Sequence, residues 1–312
     1  MSNMQPVRLS PAFKDYLWGG TKLKTDFNKK SELEKVAESW ELSTHKDGES
    51  IVSTGDFKGE KLSEYIKKNP YDVLGKNARS FDFFPILIKF IDAKDNLSIQ
   101  VHPDDEYSLE KNGEYGKTEM WYILDCEDDA FLYYGFTKEI TKEEFKQRIE
   151  NNTLLEVLNA VKVNKGDVFF IEAGTVHAIG KGIVICEIQQ NSNMTYRVYD
   201  YDRRDKDGNA RPLHIKEAIE VSKTESAKNY KADGDILAKC KYFTVEKAEI
   251  DSEKSFKMTS DCFKSVIVTN GSGELKMDDF SCTLQKGDSV FIPAQDGEFT
   301  VCGECELIIS YV

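Results

Sequence analysis

Four residues in this sequence offer metal-binding atoms in settings from which a strand could aim them at one point: Gln100, His102, Glu119 and His177. Gln100 and His102 belong to Leu97-Ser98-Ile99-Gln100-Val101-His102-Pro103, which alternates apolar and polar. As a strand it sends Ser98, Gln100 and His102 to one face and Leu97, Ile99 and Val101 to the other. Glu119 opens a second alternating stretch, with Trp121 and Ile123 on its side, and His177 follows the turn Ala173-Gly174-Thr175. Two imidazoles and a carboxylate with a further position open form a pattern suited to catalytic Zn²⁺, and the Gln100 oxygen would complete the shell. Taken singly, each histidine reads better as an ordinary hydrogen-bonded core or surface residue. The shared strand-and-turn setting of His102 and His177 favours the metal. The other two of the four histidines read as structural or solvated: His45 lies in the polar loop 44–49, and His214 precedes a helical stretch.

A second constellation is Glu187 and Arg197. Glu187 shares a strand face with Ile183, Ile185 and Gln189; Arg197 shares one with Thr195 and Tyr199. A fixed arginine near a metal can steady an anionic intermediate. The alternative is an exposed cross-strand ion pair, worth little. Lys89, Lys117 and Arg203 are possible local cations, and Ser98 could hydrogen-bond a phosphate. Cys302-Gly303-Glu304-Cys305 is a lone C-x-x-C with no second pair or histidine nearby, so two unremarkable strand residues are expected rather than a zinc or redox site. No Walker loop, dinucleotide fingerprint or nucleophile elbow is present.

The elements that must position these residues are short strands between glycine turns, which points to a mainly β sandwich or barrel rather than a parallel βαβ fold. Strands are expected over 38–43, 85–92, 97–102, 116–124, 131–134, 168–171, 176–179, 183–190 and 195–200. Helical spacing marks 61–69, ended by Pro70, a start at Pro103-Asp104-Asp105-Glu106, a capping box at Thr141 and Glu144 opening a helix over 141–158, and the stretch 211–223. Lys165-Gly166-Asp167-Val168-Phe169-Phe170-Ile171-Glu172-Ala173 recurs as Lys286-Gly287-Asp288-Ser289-Val290-Phe291-Ile292-Pro293-Ala294, identical or apolar for apolar at seven of nine positions. This repeat suggests two similar units. A polar stretch near 221–235 sets a boundary, with residues 1–235 holding the candidate chemistry. Residues 236–312 contain no histidine and read as a metal-free companion.

The 312 residues carry 55 acidic against 42 basic groups, a net charge of −13 that disfavours nucleic acid. A small anionic ligand remains compatible, because a few cations can reverse the field in one cleft. No apolar run follows Met1 and none approaches a membrane span, so neither a signal peptide nor a membrane segment is expected. Seven scattered cysteines, an odd number, suit reduced thiols in a cytoplasm.

Together these residues resemble the type I mannose-6-phosphate isomerases, in particular the short bacterial form. The motifs are Tyr16-Leu17-Trp18-Gly19-Gly20, Glu38-Ser39-Trp40, Leu97-Ser98-Ile99-Gln100-Val101-His102-Pro103-Asp104, Gly116-Lys117-Thr118-Glu119-Met120-Trp121, residues 174–178 and residues 187–203. The resemblance implies two cupin-type barrels (jelly rolls), the first with a small helical insertion and the second without metal. It also implies one zinc on Gln100, His102, Glu119 and His177, and interconversion of mannose 6-phosphate and fructose 6-phosphate. It places an essential arginine at Arg197, an acid/base carboxylate at Glu187 and a lysine at Lys117, with Ser98, Lys89 and Arg203 at the phosphate end. Arg203 stands where longer members have lysine, and Glu172 where the usual signature has proline. Whether Glu187, Lys117 or a metal-bound water is the base stays open, as does oligomeric state. The rival readings are a cupin metalloenzyme for another phosphorylated sugar and a non-enzymatic sugar-binding cupin.

Overall fold

The computed structural model describes residues 4–69, 72–204, 207–228 and 230–312. Its strands form three sheets, and every ladder between them is antiparallel. A six-stranded sheet runs Val168–Ile171, Glu119–Cys126, Ile183–Gln190, Ile86–Ala93, Glu38–Leu42, Ala12–Lys14. A five-stranded sheet runs Tyr196–Tyr199, Ile99–Val101, His177–Ala178, Phe131–Phe136, Leu158–Lys162. These two sheets face each other across a core that includes Ile91, Trp121, Ile123, Leu132, Ile183 and Ile185. The mainly β, cupin-type architecture is the one expected.

The six-stranded sheet is covered on both sides, which explains why Ile86–Ala93 and Ile183–Gln190 are buried at every position. Alternation splits each strand between two layers. Ile91, Trp121 and Ile185 turn toward the five-stranded sheet. Phe90, Tyr122 and Cys186 turn toward the third, nine-stranded sheet, where Phe243, Phe263, Phe291 and Ile308 meet them. Strand Val7–Ser10 joins that third sheet, with Val7 opposite Phe291 and Leu9 opposite both Ser289 and Val52. Chain from both sides of the expected boundary at 235 thus shares one sheet. A buried ion pair adds to the contact: Lys29 Nζ donates to Glu41 Oε2 at 2.7 Å and also to the Gly287 carbonyl.

The repeated nonapeptide builds the same piece of structure twice. Gly166 and Gly287 both have positive φ, 92° and 95°, where glycine carries no Cβ penalty. Asp167 Oδ2 accepts from the Asn164 N–H, and Asp288 Oδ2 accepts from the Gln285 N–H, each at 2.7 Å. The next strand then pairs so that Ile171 lies opposite Glu119 and Ile292 opposite Lys264. At the place where the first copy carries Glu119, the second therefore carries a lysine, whose Nζ rests over the Tyr311 ring.

Helices are short. Leu62–Lys68 and Ile215–Val221 lie within the expected stretches, and Asp105–Asn112 begins at the expected start. Asp104 caps this last helix by accepting from the Tyr107 N–H. Pro70, expected to end the first, lies outside the described residues. The helix expected over 141–158 is only Lys142–Glu150. Thr141 caps it through the Glu144 N–H, and Phe145 is buried, but Asn152 adopts φ 57° and the chain turns away. Leu154–Glu156 is a 3₁₀ turn, and Leu158 already belongs to a strand. The cysteines of the C-x-x-C lie in one long strand, Gly297–Tyr311, and both are free thiols. No helix among the described residues is long and apolar enough to cross a membrane.

Candidate active site

The two facing sheets each contribute one row of polar side chains. In the five-stranded sheet, Gln100 lies directly opposite His177 on one side and Arg197 on the other, so all three share a face. In the six-stranded sheet, Glu187 lies opposite both Trp121 and Lys89, and Gln189 opposite Glu119. The rows meet at Glu119 Oε1, which is 3.3 Å from His177 Nε2 and 3.7 Å from His102 Nε2. All three residues are buried, and among the described residues theirs is the one group of three His, Cys, Asp or Glu side chains close enough to hold a metal ion.

The chemistry of these donors suits a cation. His102 Nδ1 is 2.7 Å from the Met194 carbonyl and His177 Nδ1 is 2.8 Å from the Thr175 carbonyl. A carbonyl can only accept, so both Nδ1 atoms carry the proton and both Nε2 lone pairs point at the common centre. Burial pushes His177 down to about 4 and His102 well below the usual histidine value, with Lys117 adding to the effect at His102. Both rings are therefore neutral at pH 7, as a metal would need them to be. Glu119 is pushed up to about 8 by burial and by the charge of Glu187, in spite of Lys117. Its buried Oε1 accepts no hydrogen bond, and a cation at that oxygen would offset the cost of burying the charge. Gln100 borders the same centre, its Nε2 3.4 Å from His177 Nε2. A half-turn of the amide presents Oε1 instead.

Beside these donors runs a line of alternating buried charges. Lys117 Nζ is 2.7 Å from Glu119 Oε2 and 3.5 Å from Glu187 Oε1. Lys89 Nζ is 3.7 Å from Glu187 Oε1, 3.5 Å from Glu38 Oε2 and 4.6 Å from the centre of the Trp40 ring. Trp121 Nε1 donates to Glu187 Oε2 at 2.9 Å, and Trp40 Nε1 donates to Glu38 Oε2 at 2.6 Å. Burial opposes charge on Glu187, but Lys117 and Lys89 override it and hold the carboxyl below its usual value. Burial likewise opposes charge on Lys117, and Glu119 and Glu187 more than offset it, so Lys117 is an ammonium.

A cleft of about 250 Å³ opens over this floor. Ser98, Lys89, Gln100, Lys117, Glu187 and Arg197 all line it. Arg203 does not. Its guanidinium is held by the Asn96 carbonyl and Asp200. Glu187 and Arg197 are not the cross-strand pair considered above, because they stand on opposite sheets and Glu187 pairs with the two lysines. Sequence reasoning passed over two charged lining residues as site residues, Glu38 and Arg211. Glu38 was visible only as part of a strand motif, and Arg211 sits in a polar stretch without periodic pattern. His45 is buried between Asp47 and Glu114, and His214 Nδ1 accepts from the Arg197 N–H.

Comparison with known proteins shows the family. The family model for the phosphomannose isomerase type I catalytic domain matches residues 7–126, and that for the mannose-6-phosphate isomerase cupin domain matches residues 235–312. Mannose-6-phosphate isomerase ManA of Bacillus subtilis (strain 168) is 40% identical over 318 residues, covering 99% of each chain. The chain belongs to the mannose-6-phosphate isomerase family. A second family member, the mannose-6-phosphate isomerase of Streptococcus mutans, is 35% identical over 315 residues and 98% of both chains. The crystal structure of the Bacillus subtilis mannose 6-phosphate isomerase superposes with a TM-score of 0.90 at 37% identity, covering 99% of this chain and 100% of that one. The mannose-6-phosphate isomerase fold is thus shared along nearly the whole chain, and the family is one of enzymes.

Proposed function

We propose that this chain interconverts mannose 6-phosphate and fructose 6-phosphate through an enediol, with one zinc ion held by Gln100, His102, Glu119 and His177. The observation that carries the reading is the convergence of two neutral imidazole Nε2 atoms and a hydrogen-bond-free carboxyl oxygen beside Gln100 and Lys117, which line a cleft rich in cations. Zinc there would act as a Lewis acid on the sugar oxygens and lower the cost of the enediolate.

The protein's own groups account for the rest. The reaction moves one proton between C1 and C2, which requires a base with a free lone pair beside the carbons. Glu187 meets that requirement: it is held ionised by Lys117 and Lys89, and its Oε1 is buried with no hydrogen-bond donor. Lys117 is too firmly protonated to be the base and serves instead as a donor to oxygen. Arg197, anchored by Ser98 and the Pro212 carbonyl, offers a fixed positive charge to the enediolate. Ser98 supports the phosphate end; Lys89 lines the cleft but is paired with Glu187 and Glu38, and Arg203 stands behind the wall, tied to Asn96 and Asp200.

The C-terminal unit from 236 onward is read as a metal-free companion, in keeping with Lys264 at the place of Glu119. The seven free cysteines favour a reducing cytoplasm. The deciding experiment is a coupled assay for fructose 6-phosphate from mannose 6-phosphate, with the protein stripped by chelator and then reloaded with zinc. Activity should vanish and return, with one zinc per chain by metal analysis and none in His177→Ala. A zinc-loaded wild-type protein that makes no fructose 6-phosphate would refute the proposal.

A further inference from the structure

The cleft has two electrostatically different zones. In the deep zone two ammonium groups, Lys89 and Lys117, are shared among three carboxylates, Glu38, Glu119 and Glu187. Neither lysine has charge to spare for a dianion. At the mouth the balance reverses. Arg203 and Arg211 both bind the single carboxylate of Asp200, and Arg197 has no carboxylate partner among the described residues. Three guanidinium groups against one carboxylate leave two positive charges in surplus. A phosphate monoester carries roughly −1.5 to −2 near pH 7.

Within this group the arginines differ in access. Arg203 is turned away, tied to Asn96 and Asp200. Arg211 lines the cleft with Arg197 and Ser98. Its Nε donates to Asp200 Oδ2 at 2.8 Å and its Nη2 to Asp200 Oδ1, a fork that fixes the guanidinium plane. The chain directly after it clamps Arg197: the Pro212 carbonyl accepts from Arg197 Nη1 at 2.9 Å, the His214 N–H donates to the Arg197 carbonyl at 2.8 Å, and His214 Nδ1 accepts from the Arg197 N–H at 3.2 Å. Residues 211–214 therefore hold two arginines in fixed relation on one wall of the cleft. Arg197 is influenced, beyond its burial, by Arg211, Asp200 and Arg203, which places the charged groups close enough to act together.

We infer that Arg211 is a substrate-binding residue, which with Ser98 receives the phosphate of the phosphorylated sugar beside the Arg197 that faces the enediolate, while Asp200 orients it and Lys89 serves the acid–base line instead. This rests on the isomerase reading for the identity of the substrate but not for the anion site itself. Planar guanidinium forks match phosphate oxygens two at a time, so a lysine at 211 should restore charge but only part of the binding.

The experiment uses full-length, zinc-loaded wild type, Arg211→Gln and Arg211→Lys, with thermal melts to verify folding. Two quantities are read: KM and kcat for mannose 6-phosphate, and the dissociation constant of inorganic phosphate by calorimetry. Arg211→Gln should raise both KM and the phosphate constant at least about tenfold with kcat within about threefold, and Arg211→Lys should fall between it and wild type. A phosphate constant within twofold of wild type in Arg211→Gln overturns the inference, as does a fall in kcat with KM unchanged, which would make Arg211 only a support for Arg197. If wild type converts no mannose 6-phosphate, the isomerase reading fails, and the phosphate titration alone still decides Arg211. If Arg211→Gln melts out, Arg211→Lys decides by the same two readouts, an unchanged phosphate constant counting against the assignment.

Discussion

Replacing Lys117 with methionine removes the one cation that touches both buried carboxylates of the floor. The side chain is 5% exposed, so methionine fills the space without opening a path for water. At an effective dielectric of about 20, an ammonium 3.5 Å from Glu187 gains about 5 kcal/mol of Coulomb attraction. That figure is gross, because desolvating the two charges takes back most of it, and Glu119, pushed up to about 8, adds a full ion pair only where it ionises. Breaking such a buried group from one side costs about 3–5 kcal/mol net. The assay is urea unfolding of zinc-free protein, followed by Glu187→Gln alone and the double variant. Lys117→Met should lose about 3–5 kcal/mol, and Glu187→Gln placed on top of it should recover more than about 1 kcal/mol, because one uncompensated charge has gone. A loss below about 1 kcal/mol, or strict additivity of the two substitutions, would refute the picture of a coupled buried line.

Asp200 gives a pH test. Burial alone would raise its carboxyl, but Arg211 and Arg203 hold it below the usual carboxylate value. Its contribution is therefore complete above the unfolded value of about 3.9 and is lost as pH falls through the lower folded value. Asp200→Asn should cost about 1–3 kcal/mol at pH 7 and show a shallower loss of stability below about pH 4 than wild type; parallel melting curves across that window would contradict it. The two repeat glycines should respond unequally to alanine. Gly166 has open space where a Cβ would go and should lose only the backbone strain of about 1–3 kcal/mol, whereas at Gly287 the Cβ would fall 2.0 Å from the Phe27 carbonyl and the loss in chemical denaturation should be clearly greater. Lys29→Met leaves Glu41 buried and unpaired and should cost about 3–5 kcal/mol by urea unfolding, with Glu41→Gln in the same chain recovering part of it.

Much of the site was legible because its residues lie on strands whose faces can be read at period two. Glu119 to Ile123 and Ile99 to Val101 put their polar and apolar members where alternation says they should be, but Leu97 precedes the strand and packs on the cleft side with Trp121 rather than with Ile99 and Val101. Alternation gives the face of a residue but not the strand that lies across from it. Glu187 could not be matched to Lys89 and Lys117 from sequence, since register between strands about a hundred residues apart is set by packing on both faces of the six-stranded sheet. The overlong helix has a different cause. Leu154, Leu155 and Leu158 continue the apolar spacing of Phe145 and Ile149, but Asn151-Asn152 supplies a left-handed residue that ends the helix, and the following leucines enter the core from a turn and a strand.

The repeat shows how one scaffold separates structure from chemistry. Both copies use the same Gly-Asp turn with the same side-chain cap, because the turn fixes where the following strand begins and hence which residue stands opposite its end. What differs is the insertion before the turn. The first copy places strands Phe131–Phe136 and Leu158–Lys162 and helix Lys142–Glu150 there, whereas the second has the single strand Phe280–Gln285. The longer insertion supplies Phe131–Phe136, the strand that pairs with His177–Ala178 and so completes the five-stranded sheet that aims His177, Gln100 and Arg197 at Glu119. In the second copy the position opposite the turn strand is Lys264, and no histidine follows. A lysine there repels a divalent cation where Glu119 would attract one, so restoring a carboxylate alone would supply one ligand and no imidazoles. The nonapeptide was recognisable because it encodes the turn, whereas the candidate metal donors lie outside it, on or beside strands that precede and follow the insertion, and the insertion adds to them only the strand that pairs with His177.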